Sequence, residues 1–196
     1  MNIARSIATA AVALMSMAGS VIAAPVLADN VDTATQRALS LFKQTCYETM
    51  PDVGAVERAA EINGWEELTG AQLAAFKPNA EPKTLRAWRF KDEGLSFAVS
   101  IAVTPVDATI TDLLPELTGG TAYSCSVLPQ RVDHAATTGA LAELVGRPFQ
   151  AEFETGPLKA RMWAGSNDQF AAFLYHYRPA AGGRSGLLNF TAIPKP

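Results

Sequence analysis

Two cysteines and two histidines are the residues of this chain best able to do chemistry. Cys46 lies in "LFKQTCYETMPD", residues 41–52, and Cys125 in "TAYSCSVLP", residues 121–129. A cysteine can serve as nucleophile, metal ligand, disulfide half or small core residue, and its surroundings decide which. Both cysteines fall on apolar faces, Cys46 one turn after Phe42 and Cys125 between Tyr123 and Val127. That is not the exposed, electropositive setting that stabilises a thiolate. An even cysteine count behind an export-type leader favours pairing. A Cys46–Cys125 bond would close a loop of 80 residues counting both ends. Loop-closure entropy gives such a bond at most about 4.5 kcal/mol. Two free buried thiols and a reactive thiol are the alternatives. No Cys-x-x-Cys is present, so a thioredoxin-type site is not expected.

His134 and His176 are the other candidates. A zinc site draws three or four ligands from His, Cys and carboxylates. The chain has no His-Glu-x-x-His and no histidine pair at helical spacing, and Asp133-His134 supplies two ligands at most, so no metal and no cofactor is expected. His134 reads as a helix-start residue, and His176 alternates with Phe170, Ala172 and Leu174 along a strand. "GRSG" at 183–186 is not the Gly-x-Ser-x-Gly nucleophile elbow and sits in a hairpin-like loop. The glycine pairs at 119–120 and 182–183 do not open a helix after a strand, as a phosphate loop would. "NFT" at 189–191 matches a glycosylation sequon but falls within a strand. Glu66-Glu67, Asp92-Glu93 and Glu152/Glu154 read as solvated faces or turns.

An aromatic–arginine pattern supplies the candidate binding residues. Alternation puts Trp88 on one face with Arg86 and Phe90, and Trp163 on one face with Lys159 and Arg161. Arg86, Trp88, Arg161 and Trp163 could together hold an acidic or apolar ligand, or a partner protein. The competing reading is that arginine stems merely cover the rings.

These residues must be positioned by the elements that the periodicities define. The chain has 196 residues and a net charge of −3. Residues 1–28 read as a cleaved signal peptide: Arg5, a charge-free Ala-rich run, then small residues ending at Ala28 or, less favoured, Ala23. The expected destination is the periplasm or the extracellular space, with no membrane association after cleavage. Residues 29–196 fit one domain. The mild acidity and the lack of a basic cluster argue against nucleic acid as a partner.

Ala34, Ala38, Phe42, Cys46 and Met50 recur every four residues and predict a first helix, stopped by Pro51. Asp52 caps a second, ending at Gly64, and "LAAF" follows a Thr69–Gln72 capping box, so 29–77 reads as helical. From 84 onward the period becomes 2: "TLRAWRFK", "LSFAVSIAV" and "AYSCSVL" read as strands. A helix over 133–145 follows, capped by Asp133 and stopped by Gly146 and Pro148. "FQAEF", "LKARMWA", "QFAAFLYHYR" and "GLLNFTAI" then read as a meander, antiparallel because the links are too short for crossovers. The stretch 106–120 is ambiguous, and Pro115 opposes one continuous helix there. The expected fold is α+β: an antiparallel sheet of six to seven strands packed with an N-terminal helical pair and one inserted helix.

Cys46 with Pro51, "NGW" at 63–65, the Trp88 strand and "CSV" at 125–127 together resemble a group of exported proteins of Gram-negative bacteria that has no assigned activity. The resemblance implies an exported α+β domain and carries over no functional residues. The sequence reading is a non-catalytic domain that binds a small ligand or an envelope protein. Its alternative is a cell-envelope hydrolase with a site built around His134 or His176 and distant carboxylates.

Overall fold

A computed structural model describes residues 32–196, so the signal-peptide expectation over 1–28 lies outside the described residues. Helix α1, Thr33–Phe42, starts at Asp32, whose carboxylate accepts from Thr35 N at 2.8 Å. The chain then widens into a π-helical turn over Lys43–Tyr47. The sequence spacing explains the widening. An apolar residue every fourth position overshoots a 3.6-residue turn by about 40° each time. A wider turn after Phe42 keeps Cys46 and Met50 on the buried side, where both are found. Helix α2, Val53–Ile62, is capped by Asp52 and buries Val56 and Ala60.

The remaining elements follow in chain order. They are β1 Glu66–Glu67, α3 Gly70–Ala74, β2 Thr84–Asp92, β3 Leu95–Pro105, α4 Ala108–Leu113, a 3-10 turn Pro115–Leu117, β4 Thr121–Pro129, α5 His134–Val145, β5 Ala151–Thr155, β6 Leu158–Ser166, β7 Phe170–Pro179 and β8 Leu187–Pro194. The ambiguous 106–120 stretch is therefore two short helical pieces, divided just before Pro115.

The eight strands make a single antiparallel sheet in the order β1-β2-β3-β4-β8-β7-β6-β5. This is the expected α+β class with one strand more than foreseen. The extra strand, β1, has two residues, Glu66 and Glu67, too few for a period to show. Two meanders, β1 to β4 and β5 to β8, join where β4 pairs with β8.

Register lines up two neighbouring rows on one face. One runs Trp88, Val99, Val127, Leu188, His176, Arg161, Glu152; the other runs Arg86, Ile101, Cys125, Phe190, Leu174, Trp163. Their central members are buried together with Phe42, Cys46, Met50 and Val56 from the N-terminal helical segment and Leu141 from α5. Cys46 and Cys125 are bonded across this interface, with Cα atoms 5.2 Å apart, and no free cysteine exists among the described residues. The free-thiol and reactive-thiol alternatives are thereby set aside. The opposite face is capped at one end, where Leu117, Val106 and Ile110 pack over Ala122, Phe173 and Ile193. No helix among the described residues is long and apolar enough to cross a membrane.

Helix α5 is anchored as its sequence predicts. Asp133 Oδ1 accepts from Ala135 N and Ala136 N, both at 2.9 Å, and Gly146, at φ 75°, ends the helix. Asp133→Ala is expected to cost about 1 kcal/mol, read as a lower urea midpoint with an unchanged slope.

Candidate functional site

The four predicted binding residues share one face but form no single patch. Arg86 and Trp88 stand on β2, Arg161 and Trp163 on β6, and four strands lie between them. That separation is about 24 Å. Trp88 is 3% exposed and Trp163 1%, so both rings belong largely to the core.

Arg86 and Trp88 line a groove of about 470 Å³ between α2 and the β1–β2 edge. The arginine there is already committed. It donates to Glu67 at 2.8 and 3.0 Å and to Glu57 at 2.9 Å, and its guanidinium carbon lies 5.1 Å over the Trp88 ring. The Arg86 guanidinium holds the Glu67 carboxyl below its usual range, and the two carboxylates keep Arg86 charged, a closed ionic cluster with little left to recognise an anion.

Arg161 belongs to a second constellation, one that joins the two histidines 42 residues apart in sequence. His134 Nε2 lies 3.0 Å from Gly183 O, and a carbonyl only accepts, so that nitrogen carries the proton. His134 Nδ1 then accepts from His176 Nε2 at 3.1 Å, and His176 Nδ1 lies 3.2 Å from the Thr138 hydroxyl. Thr138 Oγ1 in turn accepts from Arg161 Nη1 at 2.8 Å, and Arg161 Nε donates to Glu152 at 2.6 Å. Arg161, Thr138, His176, His134 and Gly183 O thus make one continuous polar line.

Hydroxyl, imidazole and second imidazole in line resemble a nucleophile, its base and an orienting group. The electrostatics oppose that use. Burial, helped by His134, Arg161 and Arg178, pushes the His176 imidazole down to about 3, far below a general base poised near neutrality. Burial also lowers His134, with Arg178 and Arg161 adding to the effect. The Thr138 hydroxyl has one proton, and the His134 carbonyl one turn back, at 2.8 Å, competes for it with the His176 ring at 3.2 Å. Among the described residues no group of three potential metal ligands forms.

Trp163 lines a third feature, a cleft of about 330 Å³ where the π-turn, the end of α5 and strands β6, β7 and β8 meet. Its walls include Tyr47, Trp163, Phe170, Leu174 and Phe190. Tyr47 meets Phe190 edge-on at 5.2 Å, and the indole N–H of Trp163 is fixed by Arg147 O at 3.1 Å. Arg147 follows the left-handed Gly146 directly, which turns the chain out of α5 and toward β6. There Arg147 Nη2 donates to Ala164 O, and the Gln150 amide clamps the same residue, accepting from Ala164 N at 2.6 Å and donating to Ala164 O at 3.1 Å.

Several of the motifs read as inert have structural roles besides the ion pairs of Glu67 and Glu152. Asn189 of the sequon donates to Ser126 Oγ at 2.9 Å from within β8. Glu66 pairs with Arg89 on the β1–β2 edge. Neither Arg147 nor the aromatic cleft is legible in the sequence, because Arg147 sits at a helix stop and the rings read individually as core. Of the cleft residues, Trp163 alone stands among the sequence candidates.

Fold and site together define an α+β domain built on one antiparallel sheet, stapled by a disulfide, with an aromatic cleft at one end of its helical layer. Comparison with protein-family models, with curated proteins and with solved structures gives no match.

Proposed function

We propose that this domain is a non-catalytic binding protein whose small ligand occupies the cleft of Tyr47, Trp163, Phe170, Leu174 and Phe190. The observation that carries the reading is a concave, mostly apolar site with a few placed polar groups, the common form of a small-ligand pocket. The disulfide is consistent with export to an oxidising compartment. The hydrolase reading is favoured by the Thr138–His176–His134 line and weakened by the low basicity of His176.

A neutral probe, N-phenyl-1-naphthylamine, tests the reading. Its emission should rise and shift to the blue on binding. Ala172→Phe, which places a ring into the cleft, should reduce that signal by tenfold or more. Glu61→Gln, in the α2–β2 groove, should leave it unchanged. Probe binding insensitive to Ala172→Phe would remove the cleft from consideration. Turnover of an ester or phosphate ester that disappears in folded His176→Ala would replace binding with hydrolysis.

A further inference from the structure

We infer that the ligand of this cleft is a small amphipathic anion, a carboxylate carried on an aromatic or short acyl body. The inference rests on the binding function just proposed. Arg147 is the one charged residue among those lining the cleft. Its Nη2 meets a neutral acceptor, the Ala164 carbonyl, and it has no ion pair among the described residues. The arginines on the helix-covered face contrast with it. Arg86 is held by Glu57 and Glu67, and Arg161 and Arg178 by Glu152. Lys195 Nζ reaches Ser166 Oγ at 2.9 Å, although Lys195 itself does not line the cleft. Asp168, in the β6–β7 turn, does not line it.

A guanidinium resting on a neutral carbonyl keeps its other N–H groups for an anion, and bonds to a charged acceptor are stronger than the one already made. Apolar walls strengthen that attraction by lowering the local dielectric. The half-buried lining residues Tyr47, Phe170 and Ala172 take the body of the ligand, which sets the order: carboxylate at the mouth, ring or chain over these side chains. A volume of about 330 Å³ lies at the small end of ligand sites, so a monocyclic or short-chain acid fits better than a lipid. Gly165 is part of the arrangement. A Cβ there would stand 3.0 Å from Arg147 Nη2, so only glycine leaves the guanidinium in place without adjustment.

Calorimetric titration with 4-phenylbutyrate, 4-phenylbutan-1-ol and 4-phenylbutylamine separates charge from shape. The carboxylate should bind at least tenfold more tightly than the alcohol, and the amine most weakly. Arg147→Gln should bring the carboxylate down to the level of the alcohol, and Gly165→Ala should weaken the carboxylate severalfold. Thermal unfolding of each variant confirms that it is folded. Equal affinity for all three probes, a preference for the amine, or a carboxylate preference that survives Arg147→Gln would each overturn the anion inference and leave the binding function standing. Failure of all three to bind, together with no naphthylamine signal, would sink both.

Discussion

Replacing both Cys46 and Cys125 with alanine is expected to remove about 4 kcal/mol of folding stability, more than any other change considered for this protein. The bond joins the π-turn after α1 to the centre of β4, at a sequence separation of 79. Cutting it frees the unfolded chain to explore conformations that the closed loop forbids, at a cost of about 4.5 kcal/mol for a loop of this length. Both sulfurs lie in the fully buried core beside Phe42 and Ile101, and the two alanines leave that volume underfilled. Residual structure in the open chain works in the opposite direction and lowers the figure. In a domain of this size 1 kcal/mol moves the melting midpoint by roughly 2–4 °C. A fall of about 10 °C or more is therefore expected for the double variant, and for wild type melted in dithiothreitol. A midpoint within about 2 °C of the oxidised protein would show that the sheet and helices hold together without the staple.

Acidification should weaken the fold well before its carboxylates begin to titrate. His176 is neutral in the folded state down to about 3, whereas in the unfolded chain it takes a proton near its ordinary value of 6.5. Below that value the unfolded state binds the extra proton, so stability falls as pH decreases and the loss is complete only below the folded value. At pH 5 the loss from His176 alone is about 2 kcal/mol. His134 shifts in the same direction and adds to the slope. The charged groups around the pair agree with that sign: Arg161 and Arg178 oppose a proton on either ring, and Asp133 favours one only on His134. Glu66, Glu67, Glu152 and Asp32 are all held below their ordinary values and contribute only at more acid pH. Urea unfolding at pH 7, 6 and 5 should show the decline, and His176→Leu should flatten it over that range. A wild-type profile already flat from pH 7 to 5 would mean that the imidazole is not buried neutral.

The same pair shows where reading the sequence stops. Two-residue alternation and the Asp133 cap place His176 on a strand and His134 at a helix start, where both are found. Their contact depends on how α5 lies across β6 and β7, which no local period encodes. Alternation along one strand is local, so it pairs Arg86 with Trp88 on one face of β2 and Arg161 with Trp163 on one face of β6. That the two pairs stand toward opposite edges of the same sheet face follows from the β4–β8 pairing, between residues more than 60 positions apart. Two-residue β1 was invisible for lack of length, and the π-turn was hidden inside a four-residue repeat that looked helical.

What the sequence determined by itself was local chemistry. Apolar periodicity placed the helices and strands, Asp52, Asp133 and Gly146 marked helix ends, and short links required antiparallel neighbours. A count of two cysteines on buried faces pointed to their pairing. Tertiary structure alone decided which side chains meet. The strand order brought Trp163, Leu174 and Phe190 side by side, the π-turn added Tyr47, and the turn at Gly146 aimed Arg147 into the space between them. The reason is physical: propensity and periodicity act over a few residues, whereas a cleft is defined by surfaces that meet only after the chain has collapsed around its core.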